Sequence, residues 1–570
     1  MTSKKSFCNI SPVLVKRNLK QFWLIPIVAF LAYFIKGILP LIVKSADTQE
    51  LRFFAENVLV NHDYVYFAML MILPICAAVA VFSYLHGNAS ATMIHVMPFT
   101  RKKLYRSSVL SGIILFTLPI LLTAICFAIL LHDDPYYLGT EILPKWIVQT
   151  LISAFYIYAV SIMAAMVAGS VVTHILLSLF FNGLLPIMVY IINSFMRVFL
   201  YGFTNAPIAS SIFSPISQVY INYGISTYSS SAIIFYLFYI FVSVILIWGS
   251  GIAYKRVPLE NEGNATVFPL LGEIICYLFA FIATCGLGYI IIRSEGRNAG
   301  MPLFLTASLV SSFLFYVLAR MILEKAFHVF RMKMFKKYLL LLAAVAIFFS
   351  LTVFDITGYS KKVPDAKSIE YVQFSDSFVG IGMNDGSSDS HLKEKTSIEN
   401  FTAFHHQLIE HQDDQTHDDE ILNTMSISYH LKDGKVLERR YDVAFIRNED
   451  LIQSYGKIFK SEEYQKLLLA RHGLEIHSSN LSLQNWEENK VIRQLPDSFV
   501  SEFNEALKKD IEEMTLWDVL KEQENTGKYT LKYTNLNGDH LTFYIYSPYK
   551  NVINLLTEKY HIPPSALRKD

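Results

Sequence analysis

The sequence predicts a polytopic α-helical membrane protein of about nine spans, followed by a C-terminal α+β soluble domain. Three observations carry this expectation. Of 570 residues, 53% are hydrophobic and only 17% charged, whereas soluble domains carry about 25% charged residues. Long apolar runs recur through the first 360 residues. The net charge of +1 conceals a division: residues 1–360 hold 24 Lys and Arg against 13 Asp and Glu, while residues 361–570 hold 25 against 35. A basic, apolar body is therefore followed by an acidic tail of 210 residues, long enough for one domain. This composition excludes an ordinary cytosolic enzyme and a disordered chain.

A membrane-crossing helix needs about 20 mostly apolar residues. Runs of that kind cover 22–43, 64–84, 107–131, 147–169, 174–198, 231–254, 267–292, 303–323 and 338–355. The first starts too late and runs too long for a signal peptide, and no A-x-A site follows it. The fifth apolar run continues to about Phe203, and Asn182, Gly183 and Pro186 are residues that can break it. The stretch 204–230 is uncharged and rich in Ser, Tyr, Ile and Pro. It reads as short re-entrant helices, which are tolerated at membrane depth only when protein covers their backbone. With the N-terminus cytoplasmic, the inner segments hold 17 Lys and Arg and the outer loops six. That asymmetry orients the chain. Nine spans then place the tail outside, in agreement with its acidity, although Lys361 and Lys362 count against this. The five cysteines (Cys8, Cys76, Cys126, Cys276 and Cys285) form no C-x-x-C pair, and the tail has none. Zinc-knuckle and thioredoxin motifs and a tail disulfide framework are thereby excluded.

Two inner elements carry functional signal. Ser11-Pro12 is a good helix start. From there Lys16, Arg17 and Lys20 fall on one arc, with Leu14, Val15 and Leu19 opposite. This predicts an amphipathic helix on the inner membrane surface; a basic flank obeying the positive-inside bias is the plainer reading. The second element is the loop after span two. Asn88 or Ser90 can cap a short helix ended by Pro98, on which Met93, Ile94 and Met97 form an apolar knob suited to docking in a partner's groove. Thr100 can cap span three. Arg101, Lys102 and Lys103 would occupy that helix's first turn, where the macrodipole disfavours cations, so an anionic lipid or a partner is expected to offset the cost. An ordinary interfacial loop is the alternative.

The segment SYLHGNASATMIHVMPFTRKKLYRSSVLSG carries an S-x-L-H…P-x-x-R-x-x-L pattern on Ser83, Leu85, His86, Pro98, Arg101 and Leu104. Together with the N-terminal helix, a tight turn near 169–174 and the uncharged stretch before span six, it resembles the permease subunits of ABC exporters of the type-two (type V exporter) family. The likeness is to the Gram-positive bacterial kind with a C-terminal extracellular domain. It covers roughly residues 10–256, a six-span permease-like unit. It implies that Ser90, Met93, Ile94, Met97, Arg101 and Lys102 meet an ATPase subunit, and that Lys16, Arg17 and Lys20 belong to a connecting helix. Residues 257–358 add three spans and 359–570 form the tail, in which Tyr429–Tyr441 (YHLKDGKVLERRY) also resembles such permeases.

The resemblance implies a partner ATPase dimer carrying ATP and Mg, a second permease copy or paralogue, membrane lipids around the spans, and no nucleic acid. No cofactor is expected in this chain, and no catalytic residue. No G-x-x-x-x-G-K-[ST] exists: Gly527-Lys528 lacks the upstream glycine and is followed by Tyr529, so the chain cannot cradle ATP phosphates alone. Leu110-Ser111-Gly112 echoes an ATPase signature by chance. The cargo stays open among lipid, peptide antibiotic and other amphiphiles. Glu273 in span seven is the intramembrane candidate, read as a substrate or proton site or as a charge paired between spans. Lys36 lies near an outer end and can snorkel. Two other classes remain: a membrane-anchored sensor whose tail binds a ligand, and an ion-coupled transporter using Glu273.

The tail shows strand patterns at 369–383 and 424–445, with a hairpin turn at Asp433-Gly434. A second hairpin is expected over 528–547, and helices near 397–411, 449–470, 497–513 and 549–560. His405, His406, His411 and His417 lie near Asp413, Asp414, Asp418 and Asp419. The spacing fits no metalloprotease motif, and a solvated face is preferred to a metal site.

Overall fold

The computed structural model describes residues 10–44, 59, 64–87, 98–132, 140, 142–204, 215, 230–256, 267–295, 297–353, 355–376, 391–412, 423–443, 448–472, 481–485, 490–496, 498–516, 529–534, 540–545 and 549–562. The chain divides into two compact units. One comprises Met1–Ser194, Ala206–Glu295 and Gly300–Phe348; the other comprises Phe195–Asn205, Gly296–Ala299 and Phe349–Asp570.

The first unit is helical. Its elements are α1 (Pro12–Gln21), α2 (Leu24–Tyr33), a π turn (Phe34–Ile38), α3 (Leu39–Lys44), α4 (Tyr64–Phe82), α5 (Arg101–Leu130), α6 (Leu143–Val167), α7 (Val171–Phe199), α8 (Ser230–Arg256), α9 (Pro269–Glu295), α10 (Arg297–Glu324) and α11 (Met332–Val353). The last residues of α7 and α11 belong to the second unit. Among the described residues, nine helical stretches are long and apolar enough to cross a membrane, which is compatible with a multi-pass membrane protein.

Helix α6 is the hub. Its apolar stretch is 78% buried, against 17–50% for the other eight, and it packs on α4, α5 and α8. A helix that is apolar all round belongs inside. Small residues on it (Ser153, Ala154, Ala159, Ser161 and Ala164, all buried) admit neighbouring backbones. At Gly112 of α5 the ring of Tyr158 occupies the place a Cβ would need, and the Tyr158 hydroxyl donates to the Val109 carbonyl at 3.0 Å.

Two local features depart from expectation. α7 runs unbroken through Asn182, Gly183 and Pro186. Packed helices tolerate an internal proline when other groups satisfy the backbone it frees. Four residues before Pro186, the Asn182 side chain donates back to the Ser178 carbonyl at 2.8 Å within the same helix. The first long helix is interrupted by the π turn. There Tyr66 donates to the Tyr33 carbonyl at 3.1 Å, and its ring lies against Gly37. Only glycine leaves room for that ring. Of the stretch 204–230, residues 205–214 and 216–229 lie outside the described residues.

The second unit holds two antiparallel sheets. The first orders β1 (Ile369–Asp376), β2 (His391–Leu392), β3 (Asn423–Leu431) and β4 (Val436–Val443) as β2-β1-β3-β4, with α12 (Lys395–Glu410) between β2 and β3. The second orders β5 (Ser482–Asn485), β6 (Lys490–Gln494), β7 (Tyr529–Thr534) and β8 (His540–Tyr544) as β6-β5-β7-β8, with α15 (Ser498–Glu513) between β6 and β7. The two halves thus share one topology, a repeat absent from the sequence reading. α13 (Glu449–Phe459) and α14 (Glu462–His472) follow β4, and the short α16 (Lys550–Asn554) follows β8. The expected helix over 449–470 is therefore two. The expected turn at Asp433-Gly434 is present, with Gly434 at φ 81, the left-handed position that closes a three-residue hairpin loop.

One buried polar network organises this unit. His405 on α12 lies between two tyrosines: Nδ1 is 3.1 Å from the Tyr429 hydroxyl and Nε2 2.5 Å from that of Tyr441. Tyr429 donates to the Phe401 carbonyl. A neutral ring that donates from Nδ1 and accepts at Nε2 satisfies every member. His405 is thus a core side chain, not part of a solvated polar face. Burial, with Arg439 and His406 nearby, pushes its pKa down to about 3. The folded value lies below the unfolded one, so the stabilisation is complete above about pH 6.5 and is lost as pH falls toward 3. The opening free energy of the β3 and β4 amides of the full chain, taken from exchange after correction for the intrinsic rate at each pH, should fall below about pH 6 by up to about 1.4 kcal/mol per pH unit. His405→Leu should flatten that dependence while lowering stability overall; an unchanged pH dependence would refute this role.

Candidate coupling surface and the charged cluster

Helix α1 is held on α5. Ser11 does not cap α1 with its side chain; its backbone N–H instead donates to Ser107 Oγ at 2.9 Å, and Asn18 Nδ2 donates to Ser111 Oγ at 3.2 Å. Ser111, part of the chance ATPase echo, is therefore a packing residue. Leu14 is buried at this contact, and Lys16, Arg17 and Lys20 are exposed on the other side. The segregation read from helical periodicity is realised.

At the start of α5, Thr100 accepts from the Lys103 N–H at 3.3 Å, as its expected capping role requires. Arg101 Nη1 donates to the Lys255 carbonyl at 3.0 Å. A cation disfavoured at the start of its own helix thus sits at the carboxyl end of α8, where the dipole favours it. Lys102 is exposed, and Lys103 lies 5.5 Å over the Phe99 ring. Tyrosines knit the same region: Tyr84 donates to Tyr254 at 3.0 Å and Tyr105 to the Ile247 carbonyl at 2.6 Å. Ser90, Met93, Ile94 and Met97 lie outside the described residues.

A histidine chain missed in the sequence leads to that loop. His174 Nε2 is 3.0 Å from the Ser161 carbonyl, and its Nδ1 is 3.2 Å from His86 Nε2. A carbonyl only accepts, so His174 carries its proton on Nε2, and His86 then donates from its own Nε2. His86 Nδ1 is left as a buried acceptor without a partner among the described residues. Beyond the turn before α7, Ser170 and Thr173 cap each other reciprocally at 3.0 and 3.3 Å. His86 stood within the quoted motif, but nothing in its spacing pointed to residue 174.

Glu273 is a paired charge. It bonds Lys337 Nζ and lies 3.8 Å from Arg320, which also binds Glu324 at 3.1 Å. The cluster ties α9, α10 and α11. Tyr277 of α9 adds a bond to the Lys337 carbonyl at 3.3 Å. Lys36 lies exposed in the π turn. In the second unit Arg439 occupies an inward position of β4 and is fully buried. It donates to the Tyr359 and Glu438 carbonyls at 3.0 and 3.2 Å and stacks 3.8 Å over the Tyr359 ring. Carbonyl dipoles and an aromatic face thus stand where a carboxylate would be expected.

Comparison with protein-family models, with curated proteins and with solved structures finds no match to this chain.

Glu273→Gln should destabilise the helical unit by roughly 1–3 kcal/mol, between the values for exposed and buried pairs. It removes the carboxylate that Lys337 bonds, while Arg320 keeps Glu324. Adding Lys337→Met should recover part of the loss, since removing both partners leaves less uncompensated charge. Thermal melts of the detergent-solubilised chain measure both; additive losses would refute the coupling.

Proposed function

We propose that this chain is the transmembrane permease subunit of an ATP-driven exporter of the type-two ABC kind. It would reside in a bacterial cell membrane with its N-terminus cytoplasmic and its tail outside, and move an amphiphilic, peptide-like or lipid-like substrate. The observation that carries this reading is α1 laid along the first half of α5 with its cations outward; in sequence, Ser90–Met97 comes shortly before α5. Resemblance to exporter permeases assigns both elements to the surface that meets an ATPase. ATP and Mg would be held by a separately encoded ATPase dimer, and a second permease copy or paralogue would complete the pathway. The His86–His174–Ser161 chain fixes the entry to the loop, so that a push on Ile94 would travel into α6 and α7. The pairing of Glu273 with Lys337 and Arg320 supports its reading as a charge matched between helices. The compact tail leaves a sensor reading as the second possibility.

Purification of the intact complex should bring down an ATPase subunit, and cargo-stimulated ATP hydrolysis should fall at least tenfold in Ile94→Asp with assembly of the spans unchanged. Full coupled hydrolysis in that variant would overturn the coupling role. A chain that binds ligand through its tail, with no ATPase in the complex, would favour the sensor.

A further inference from the structure

We infer that the segment joining α10 to α11, with the exposed face of the first turns of α11, docks on an anionic phospholipid leaflet. Phe327, Phe330 and Met332 would lie where headgroups meet hydrocarbon, and Arg331, Lys333 and Lys336 against the phosphates. α10 and α11 are both long and apolar enough to cross a membrane, and only residues 325–331 separate them. So short a connection stays close to the edge of the apolar phase. It is itself apolar on its outside: Phe327 is 86% exposed, Met332 75% and Phe330 57%. Two buried side chains, Val329 and Met334, hold it in this posture. The Met334 and Phe335 amides donate to the Arg331 carbonyl at 2.8 and 3.4 Å, which sets the start of α11. With Val329 turned inward, Phe327 and Phe330 remain outside.

The cations share that surface. Lys336 lies four residues from both Met332 and Leu340, and three from both Lys333 and Leu339. At helical spacing these five occupy one side of α11, and all five are exposed. Buried Met334 and Leu341 mark the opposite side. Residues 325–354 contain no Asp or Glu. Lys337 is matched by Glu273, whereas Arg331, Lys333 and Lys336 have no ion pair among the described residues. Lys333 and Lys336 repel each other, and anionic headgroups offset that cost. The exposed sides of the two helices that lead into this surface are apolar, with Leu318 and Ile322 on α10 and Leu339 and Ile347 on α11. A face that is apolar along the helices and cationic where they end complements a charged leaflet. A second copy of this chain suits it poorly, because a two-fold contact would bring two cationic faces together. The inference rests on α10 and α11 being membrane spans; it does not depend on an ATPase partner.

The test installs the photoreactive analogue p-benzoylphenylalanine at Phe330 of the full-length chain, in vesicles of equal parts phosphatidylglycerol and phosphatidylcholine. Adducts formed on irradiation are identified by mass spectrometry. Phe327 is the second position should the first variant fail to fold. Val244 is the reference: it is exposed on α8, with no Asp, Glu, Lys or Arg within ten residues. Lipid adducts should form at all three positions. At Phe330 and Phe327 phosphatidylglycerol should exceed phosphatidylcholine on the order of fivefold, and less as salt rises; at Val244 the two should be equal. Neutralising the cations (Arg331→Gln, Lys333→Gln, Lys336→Gln) should bring the Phe330 ratio to parity, and Lys333→Arg with Lys336→Arg should preserve it. Lipid adducts at Val244 but none at Phe330 and Phe327 overturn the proposal and leave membrane insertion standing. Their absence at Val244 as well removes insertion with it. Equal yields of the two lipids at Phe330, the same preference at Val244, a ratio untouched by the glutamine variant, or an adduct to protein in place of lipid each overturn it too.

Discussion

Burial of α6 is the constraint on which the helical unit depends. In a helix enclosed on nearly all sides, polar groups that pair with neighbouring helices fix how those helices sit. Tyr158 meets a carbonyl of α5, and the Ser161 carbonyl receives His174 of α7. Each bond fixes a neighbour's rotation as well as its distance. Small side chains on α6 and the missing one at Gly112 set how closely the helices approach. The position of α5 in turn decides where α1 lies, because Ser107 and Ser111 of α5 receive Ser11 and Asn18. A line of dependence thus runs from a buried helix to the exposed cations of α1.

Charge is used differently in the two units. Among the helices it is placed at ends or matched across them: Arg101 against the end of α8, Glu273 against Lys337 and Arg320. In the second unit the central charge is Arg439, a buried guanidinium surrounded by carbonyls and the Tyr359 ring. That arrangement tolerates a planar, weakly hydrated cation far better than an ammonium. Burial first, and the same charge second, hold His405 neutral, so the polar centre of the first sheet is a set of neutral donors and acceptors around one fixed cation. Carboxylates here also act as remote helix caps. Asp510 of α15 accepts from the Asn551 and Val552 amides at the start of α16, at 2.7 and 2.9 Å. Glu463 of α14 accepts from the Lys393 amide ahead of α12 at 2.6 Å.

Much of the fold was legible because it rests on period and composition. Nine apolar runs, the two-faced α1, Thr100 as a cap and the Asp433-Gly434 turn all follow from local rules. What escaped depends on contacts between distant residues. Pro186 did not break α7, since packing and local hydrogen bonds outweigh a rule derived for isolated helices. Glu273 could be singled out from sequence, but its two partners lie 47 and 64 residues further on. His405 looked like one of a polar run because neighbouring histidines and aspartates mask a residue whose helical face points inward. Of the candidate coupling residues, Arg101 and Lys102 and the α1 cations can be placed; the apolar knob lies outside the described residues.

The shared strand order of the two sheets bears on how the second unit assembles. In each half, strand pairing closes largely over neighbouring hairpins and one helical crossover. Neither sheet waits for a strand from the other, which keeps loop-closure entropy low for a unit of this size. The apolar surfaces then merge into one continuous cluster reaching from Phe374 and Phe401 to Phe503 and Leu531. Synthesis delivers the β1–β4 half first, and it can pair its strands while the β5–β8 half is still being made. The unit that follows the long apolar helices can thus pair its strands half by half.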